Sequence, residues 1–180
     1  GTEVVRFLYF KNDEDHQLGE TPIPNGRMRI YGTARPVAGA PAQQAPPLTY
    51  VGASAFQYIP VGEKVELELG AARKVEVEPK LMHTATENYT YDRHGNVSGW
   101  DTVQTWQLHA ANGRRVPVKC EVTRNTGSNY WQLTAADNVD YTRHDATHAR
   151  FTFVLQPRTK HTLTYRLRTY HGRRREQMDQ

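Results

Sequence analysis

The sequence predicts an all-β chain of antiparallel sandwich architecture, with about eleven short strands. Three observations carry that expectation. Apolar and charged residues alternate through Val65–Leu69 and again through Val75–Glu78, the signature of half-buried strands. Similar runs recur along the chain, punctuated by turn signals such as Asn25-Gly26 and Asn112-Gly113. No segment repeats its apolar residues at helical spacing, and the ten tyrosines suit pleated surfaces.

Taken in order, Val4–Phe10 opens as a strand with Arg6 its lone charge, and the polar cluster Lys11–Gln17 turns the chain. Pro22 and Pro24 keep the next stretch extended, and Asn25-Gly26 leads into Arg27–Tyr31. There Met28 and Ile30 face one way, and Arg27, Arg29 and Tyr31 the other. Ala34–Pro47, with four Pro and five Ala, has no periodicity and reads as a mobile excursion between strands. Tyr50–Ile59 resumes the sheet, and Pro60-Val61-Gly62 turns it into a hairpin of Val65–Leu69 with Val75–Glu78.

In the second half Asp92–Asn96 is a loop tip, followed by a strand over Thr102–Ala110. Arg115–Thr123 places Val116, Val118, Cys120 and Val122 on one face. Tyr130–Leu133, Val139–Tyr141, Ala149–Leu155 and His161–Tyr170 complete the set. Phe151, Phe153 and Leu155, then Leu163, Tyr165 and Leu167, point inwards. The turn-rich seam near Pro79 divides the chain into a first β subdomain, 1–79, and an immunoglobulin-like sandwich, 80–172. Residues 173–180 read as a basic, flexible tail.

Composition narrows the function classes. The single cysteine, Cys120, excludes an intrachain disulfide and sits in an apolar stripe, as a small buried hydrophobe would. No apolar run is long enough for a helical membrane span, and no signal peptide is present. The net charge of +4 is scattered: removing Gly172–Gln180 takes away three Arg and two acids and leaves +3. Nucleic acid is therefore not an expected partner. The start at Gly1-Thr2 without Met reads as an excised domain or processed product.

The block Phe10-Lys11-Asn12, Leu18-Gly19, Pro22-x-Pro24-x-Gly26 and Ile30-Tyr31 is followed by Tyr50-Val51-Gly52 and Pro60-x-Gly62-Glu63-x-Val65-x-Leu67-x-Leu69-Gly70. It resembles the C-terminal domain of mucoidy-inhibitor-A-like proteins, a domain of unknown function. Asn112-Gly113, Tyr130-Trp131, Phe151-x-Phe153 and Leu163-Thr164-Tyr165 extend the likeness from about Phe7 to Thr169. The resemblance implies a β-rich module of a larger, exported, envelope-associated bacterial protein. It brings no catalytic residue.

Two candidate sites follow from the residues. If Leu67 faces Val77 across the hairpin, Glu68 lies opposite Glu76 and Glu66 opposite Glu78. Such an acidic strand face is destabilising unless solvated or paired, for instance with Arg166 or Arg168. A carbonyl-poor strand face does not suit calcium, so no metal is expected there. Tyr89, Tyr91 and Trp100 flank the Asp92–Gly99 loop and suit stacking on a sugar or peptide. The ordinary reading packs Tyr89, Tyr91 and Trp106 across paired strands and leaves Trp100 part-exposed. His144 and His148 have ligand spacing only on a helix, and a turn entering a strand points them apart. No cofactor or catalytic residue is expected. The reading is a non-catalytic module for structural or protein–protein contacts, with a carbohydrate- or peptidoglycan-binding module and a hydrolase as alternatives.

Overall fold

A computed structural model describes residues 3–33, 48–135 and 139–177; the Ala/Pro segment 34–47 lies outside them. The described chain is nearly all β. Its strands are β1 (Val5–Lys11), β2 (Gly26–Thr33), β3 (Leu48–Phe56), β4 (Lys64–Ala71), β5 (Val75–Tyr91) and β6 (Val97–Asn112). They continue with β7 (Val118–Asn125), β8 (Trp131–Ala135), β9 (Tyr141–Arg143), β10 (His148–Leu155) and β11 (Lys160–Gly172). All pairings are antiparallel.

The chain divides into two compact units between Arg73 and Lys74, not at the Pro79 seam. Strand β5 runs through Pro79 uncut, with Pro79 opposite Leu108. β5 lies at a sheet edge, the position in a sheet that tolerates proline.

In the unit Val4–Arg73, β1 pairs with β4 and β2 with β3. Their inward residues, among them Leu8, Phe10, Met28, Ile30, Val65 and Leu67, share one core with Ile59. Asn12 is wholly buried just past β1. Its Nδ2 donates to the carbonyls of Thr21 (3.2 Å), Ile59 (3.4 Å) and Pro60 (3.1 Å), and its Oδ1 accepts from Gly19 N–H (2.9 Å). One side chain thus satisfies the buried backbone of two loops.

The larger unit stacks two sheets, ordered β5-β6-β11-β8 and β7-β10-β9. Phe151 is fully buried against Tyr165, ring centroids 4.9 Å apart, and Arg124 Nε donates to Tyr165 Oη at 3.0 Å. Leu155, Leu163, Leu167 and Cys120 are buried as expected; burial pushes the Cys120 thiol pKa up. Asn112, ending β6, mirrors Asn12. Its Nδ2 donates to the carbonyls of Val116 (2.9 Å), Leu155 (3.2 Å) and Gln156 (3.1 Å), and its Oδ1 accepts from Arg114 N–H (3.0 Å).

The expected hairpin does not form. β4 takes β1, matching Leu67 with Leu8 and Val65 with Phe10, while β5 takes β6 and sets Val77 against Ala110. Both runs are strands, but alternation only assigns faces and says nothing about partners. The Gly70–Lys74 stretch, with positive φ at Gly70 (77°) and Lys74 (67°), carries the chain from one unit to the other.

Candidate functional site

Strands β5, β6 and β11 continue past Trp106, whose ring centroid lies 4.4 Å from the Arg124 guanidinium. Going outward on the same face, β6 presents Gln104, Thr102 and Trp100, all half-buried. Register places Thr84 beside Gln104, Thr86 and Thr169 beside Thr102, and His171 beside Trp100. The Trp100 and His171 rings stack at 5.2 Å and 14°. His171 Nε2 lies 3.2 Å from Thr102 Oγ1 and 3.1 Å from Thr169 Oγ1, which fixes the imidazole against the indole.

Tyr89 and Tyr91 stand exposed near the end of β5, at 49% and 61%. No ring contact joins them to Trp100 among the described residues. The aromatic pair at this end is therefore Trp100 with His171, a partner the sequence pattern did not single out.

On the opposite face of β6 lies Asp101, with no exposed surface. Its Oδ1 accepts from Arg174 Nε (2.8 Å), and its Oδ2 from Arg174 Nη2 (2.9 Å), Arg168 Nη1 (2.9 Å) and Asn88 Nδ2 (2.7 Å). Arg168 also reaches Glu87 at 3.1 Å. Burial pushes the Asp101 pKa up, but hydrogen bonds from Arg174, Asn88 and Arg168 outweigh it and hold the carboxyl below its ordinary range. The geometry depends on close backbone approach. A Cβ on Gly99 would meet Arg174 N and the His171 carbonyl at 2.8 Å, and Gly172 turns the chain at φ 56°. Arg173–Gln177 then forms a short 3₁₀ helix packed against β6. The expected flexible tail is, over these residues, docked through Arg174.

No family model, curated protein or solved structure matches the chain.

The predicted Glu-on-Glu face is absent, because its two strands are not partners. Glu66 lies opposite Tyr9 and Glu68 opposite Phe7, while Glu76 lies opposite Ala111 and Glu78 opposite His109. Glu78 pairs with Lys80 at 3.4 Å; Arg168 serves Asp101 and Glu87 instead. Among the described residues no group of three or more His, Cys, Asp or Glu side chains is placed to hold a metal ion, and no helix is long and apolar enough to cross a membrane.

The two histidines lie, as expected, in a turn that enters a strand, β10. His144 N–H donates to the His148 carbonyl at 2.9 Å, which sets the two residues across the hairpin from each other. Their rings take separate partners. His144 Nε2 accepts from Arg150 Nη2 at 3.0 Å, and His148 Nδ1 meets Asp145 Oδ1 at 2.8 Å. Asp145 Oδ1 also accepts from Thr147 N–H (2.8 Å) and Oγ1–H (3.2 Å). These bonds, His148 first, lower the Asp145 pKa to about 2. Its folded pKa lies below the unfolded one, so the turn's stabilisation is present above the ordinary carboxylate range and is lost as pH falls towards about 2. In an NMR titration Asp145 should show a midpoint near about 2, moving towards the ordinary range in His148→Ala. An unchanged midpoint in the variant would remove His148 as the main cause.

Proposed function

We propose that the chain is a non-catalytic β module that mediates structural or protein–protein contacts within a larger, exported, envelope-associated bacterial protein. The observation that supports this reading is the surface of the Val4–Arg73 unit. Of its seven aromatic residues, five stand exposed: Phe7 (42%), Tyr9 (56%), Tyr31 (50%), Tyr50 (58%) and Tyr58 (57%). Only Phe10 and Phe56 join the core. Aromatic side chains left outside a small core are the residue types that protein interfaces concentrate.

They also come as pairs. Phe7 and Tyr9 share the outward face of β1, with ring centroids 6.3 Å apart, and Tyr31 meets Tyr50 across β2 and β3 edge-to-face at 5.7 Å. Preformed pairs present rigid apolar area at little further cost in side-chain entropy. The envelope placement and the immunoglobulin-like character of the larger unit belong to the same proposal. The former rests on the resemblance, the latter on its four- and three-stranded sheets.

A photo-crosslinking amino acid at Tyr9 or Tyr50, in the full-length protein in its host, should give adducts of discrete mass. The same group at Thr152, on the outer face of β10, should give none. Equal labelling at all three positions, or none at any, would count against a contact surface in this unit.

A further inference from the structure

We propose that Asn25 is a site of spontaneous deamidation to isoaspartate and aspartate, while Asn112, in the same Asn-Gly dipeptide, is shielded by the fold. The sequence holds these two Asn-Gly pairs and no others. The inference is independent of the assembly reading.

The reaction needs two groups to be free at once, the asparagine amide and the main-chain nitrogen of the glycine. That nitrogen, stripped of its proton by hydroxide, attacks the asparagine Cγ. The new C–N bond closes a five-membered imide as the Cγ–Nδ2 bond breaks, and Nδ2 leaves as ammonia with a proton from water. Water then opens the imide. Attack at Cγ gives aspartate, and attack at the main-chain carbonyl gives isoaspartate. Glycine favours ring closure because no Cβ crowds the nitrogen and its backbone turns freely.

At Asn25 both groups are free. Asn25 and Gly26 are exposed, and among the described residues no hydrogen bond holds the Asn25 side chain. The state of the Gly26 nitrogen follows from the ladder. Ile23 and Ile59 exchange both backbone hydrogen bonds, each at 2.9 Å. Gly26 and Phe56 lie three positions further along in the same register. Hydrogen-bonded and non-hydrogen-bonded pairs alternate in an antiparallel ladder, so this odd step makes Gly26–Phe56 a non-hydrogen-bonded pair. The Gly26 N–H therefore points away from β3. On that side β2 has no strand neighbour, and among the described residues no other carbonyl takes the N–H.

At Asn112 both groups are committed. The residue is 1% exposed, and its Nδ2 donates to the carbonyls of Val116, Leu155 and Gln156. Its Oδ1 accepts from Arg114 N–H. The Gly113 nitrogen donates to the Lys74 carbonyl at 2.7 Å. Ring closure there would break every one of these bonds before the new one could form.

Conversion at Asn25 reaches the core through the same register. Isoaspartate routes the main chain through Cβ and Cγ and adds one carbon between Ile23 and Gly26. The Ile23–Ile59 bridge and the first pair of β2 then no longer fit one ladder, and Ile59 is buried in the core of this unit. The new carboxylate also stands two residues before the exposed Arg27.

The test incubates the 180-residue chain in warm, mildly alkaline buffer and follows both dipeptides by peptide mass mapping, with isoaspartyl-specific methylation to identify the product. Asn25 should convert at least about tenfold faster than Asn112. In urea the two rates should converge, because neither group is then held. Gly26→Ala supplies a second arm. Its Cβ would lie 3.4 Å from Phe56 Cζ, so the strand start is kept, yet conversion at Asn25 should slow about tenfold or more. Aged wild type should also melt below aged Asn25→Gln, and equal melting would remove the link to the core. Equal conversion at both sites in the folded chain, an intact Asn25 where the unfolded chain has converted, or an unslowed rate in Gly26→Ala would overturn the proposal.

Discussion

Asp101→Ala should lower the stability of the Lys74–Gln180 unit by about 3–5 kcal/mol, the usual cost of removing one partner from a buried charge network. The carboxylate has no exposed surface and takes four hydrogen bonds from Arg174, Arg168 and Asn88. Its removal leaves Arg174 without its counter-charge and Arg168 with Glu87 alone. Arg174→Met should cost less, about 1–3 kcal/mol, because Arg168 still neutralises the carboxylate. It should also free the Arg173–Gln177 segment, visible as faster amide exchange there. Acid should mimic the alanine variant. The folded pKa of Asp101 lies below its unfolded value, so its stabilisation is complete above the ordinary carboxylate range and is lost as the pH falls below that range through the folded pKa. Urea unfolding at neutral pH and in acid measures both effects. Equal acid sensitivity of wild type and Asp101→Ala would show that other carboxylates govern it.

Asn12→Ala and Asn112→Ala should each cost about 2–4 kcal/mol, because each leaves several buried backbone groups without partners. The informative part is where the loss appears. Asn12 serves loops of the Val4–Arg73 unit, and Asn112 serves the β6–β7 turn and the end of β10 in the other. Differential scanning calorimetry should therefore show one transition lowered by Asn12→Ala and a different one lowered by Asn112→Ala. A single transition shifted equally by both variants would mean that the two units unfold as one cooperative body.

The strands were legible because alternation is a local property. Val65–Leu69, Arg27–Tyr31 and Ala149–Leu155 each show their inward faces without reference to any partner. Pairing is not local. Val65–Leu69 and Val75–Glu78 look like the two arms of a hairpin, yet apolar opposites for them exist elsewhere, at Leu8, Phe10 and Ala110. The acidic face was built on that hairpin and went with it.

The site was legible in part. Trp100 stood out beside Gly99 at a loop end, but its partner His171 lies far along the chain and meets it only through the β6–β11 register. Asp101 gave no signal at all. In the alternation of β6 it is simply a polar residue between Trp100 and Thr102, and its burial depends on Arg174 folding back beyond Gly172. The terminal arginines showed charge but not destination.

The direction of the long strands has a mechanical consequence. The chain enters the large sheet at Val75, opposite Asn112 at one end, and leaves it at Gly172, opposite Gly99 at the other. A load applied through those two points would run along the strand axes in opposite senses. It would place the β5–β6 and β6–β11 ladders in shear, with their hydrogen bonds strained together instead of unzipping one by one. The final anchor on that path is the clasp between Arg174 and Asp101. A module loaded this way resists tension best along the direction in which its own chain passes through it.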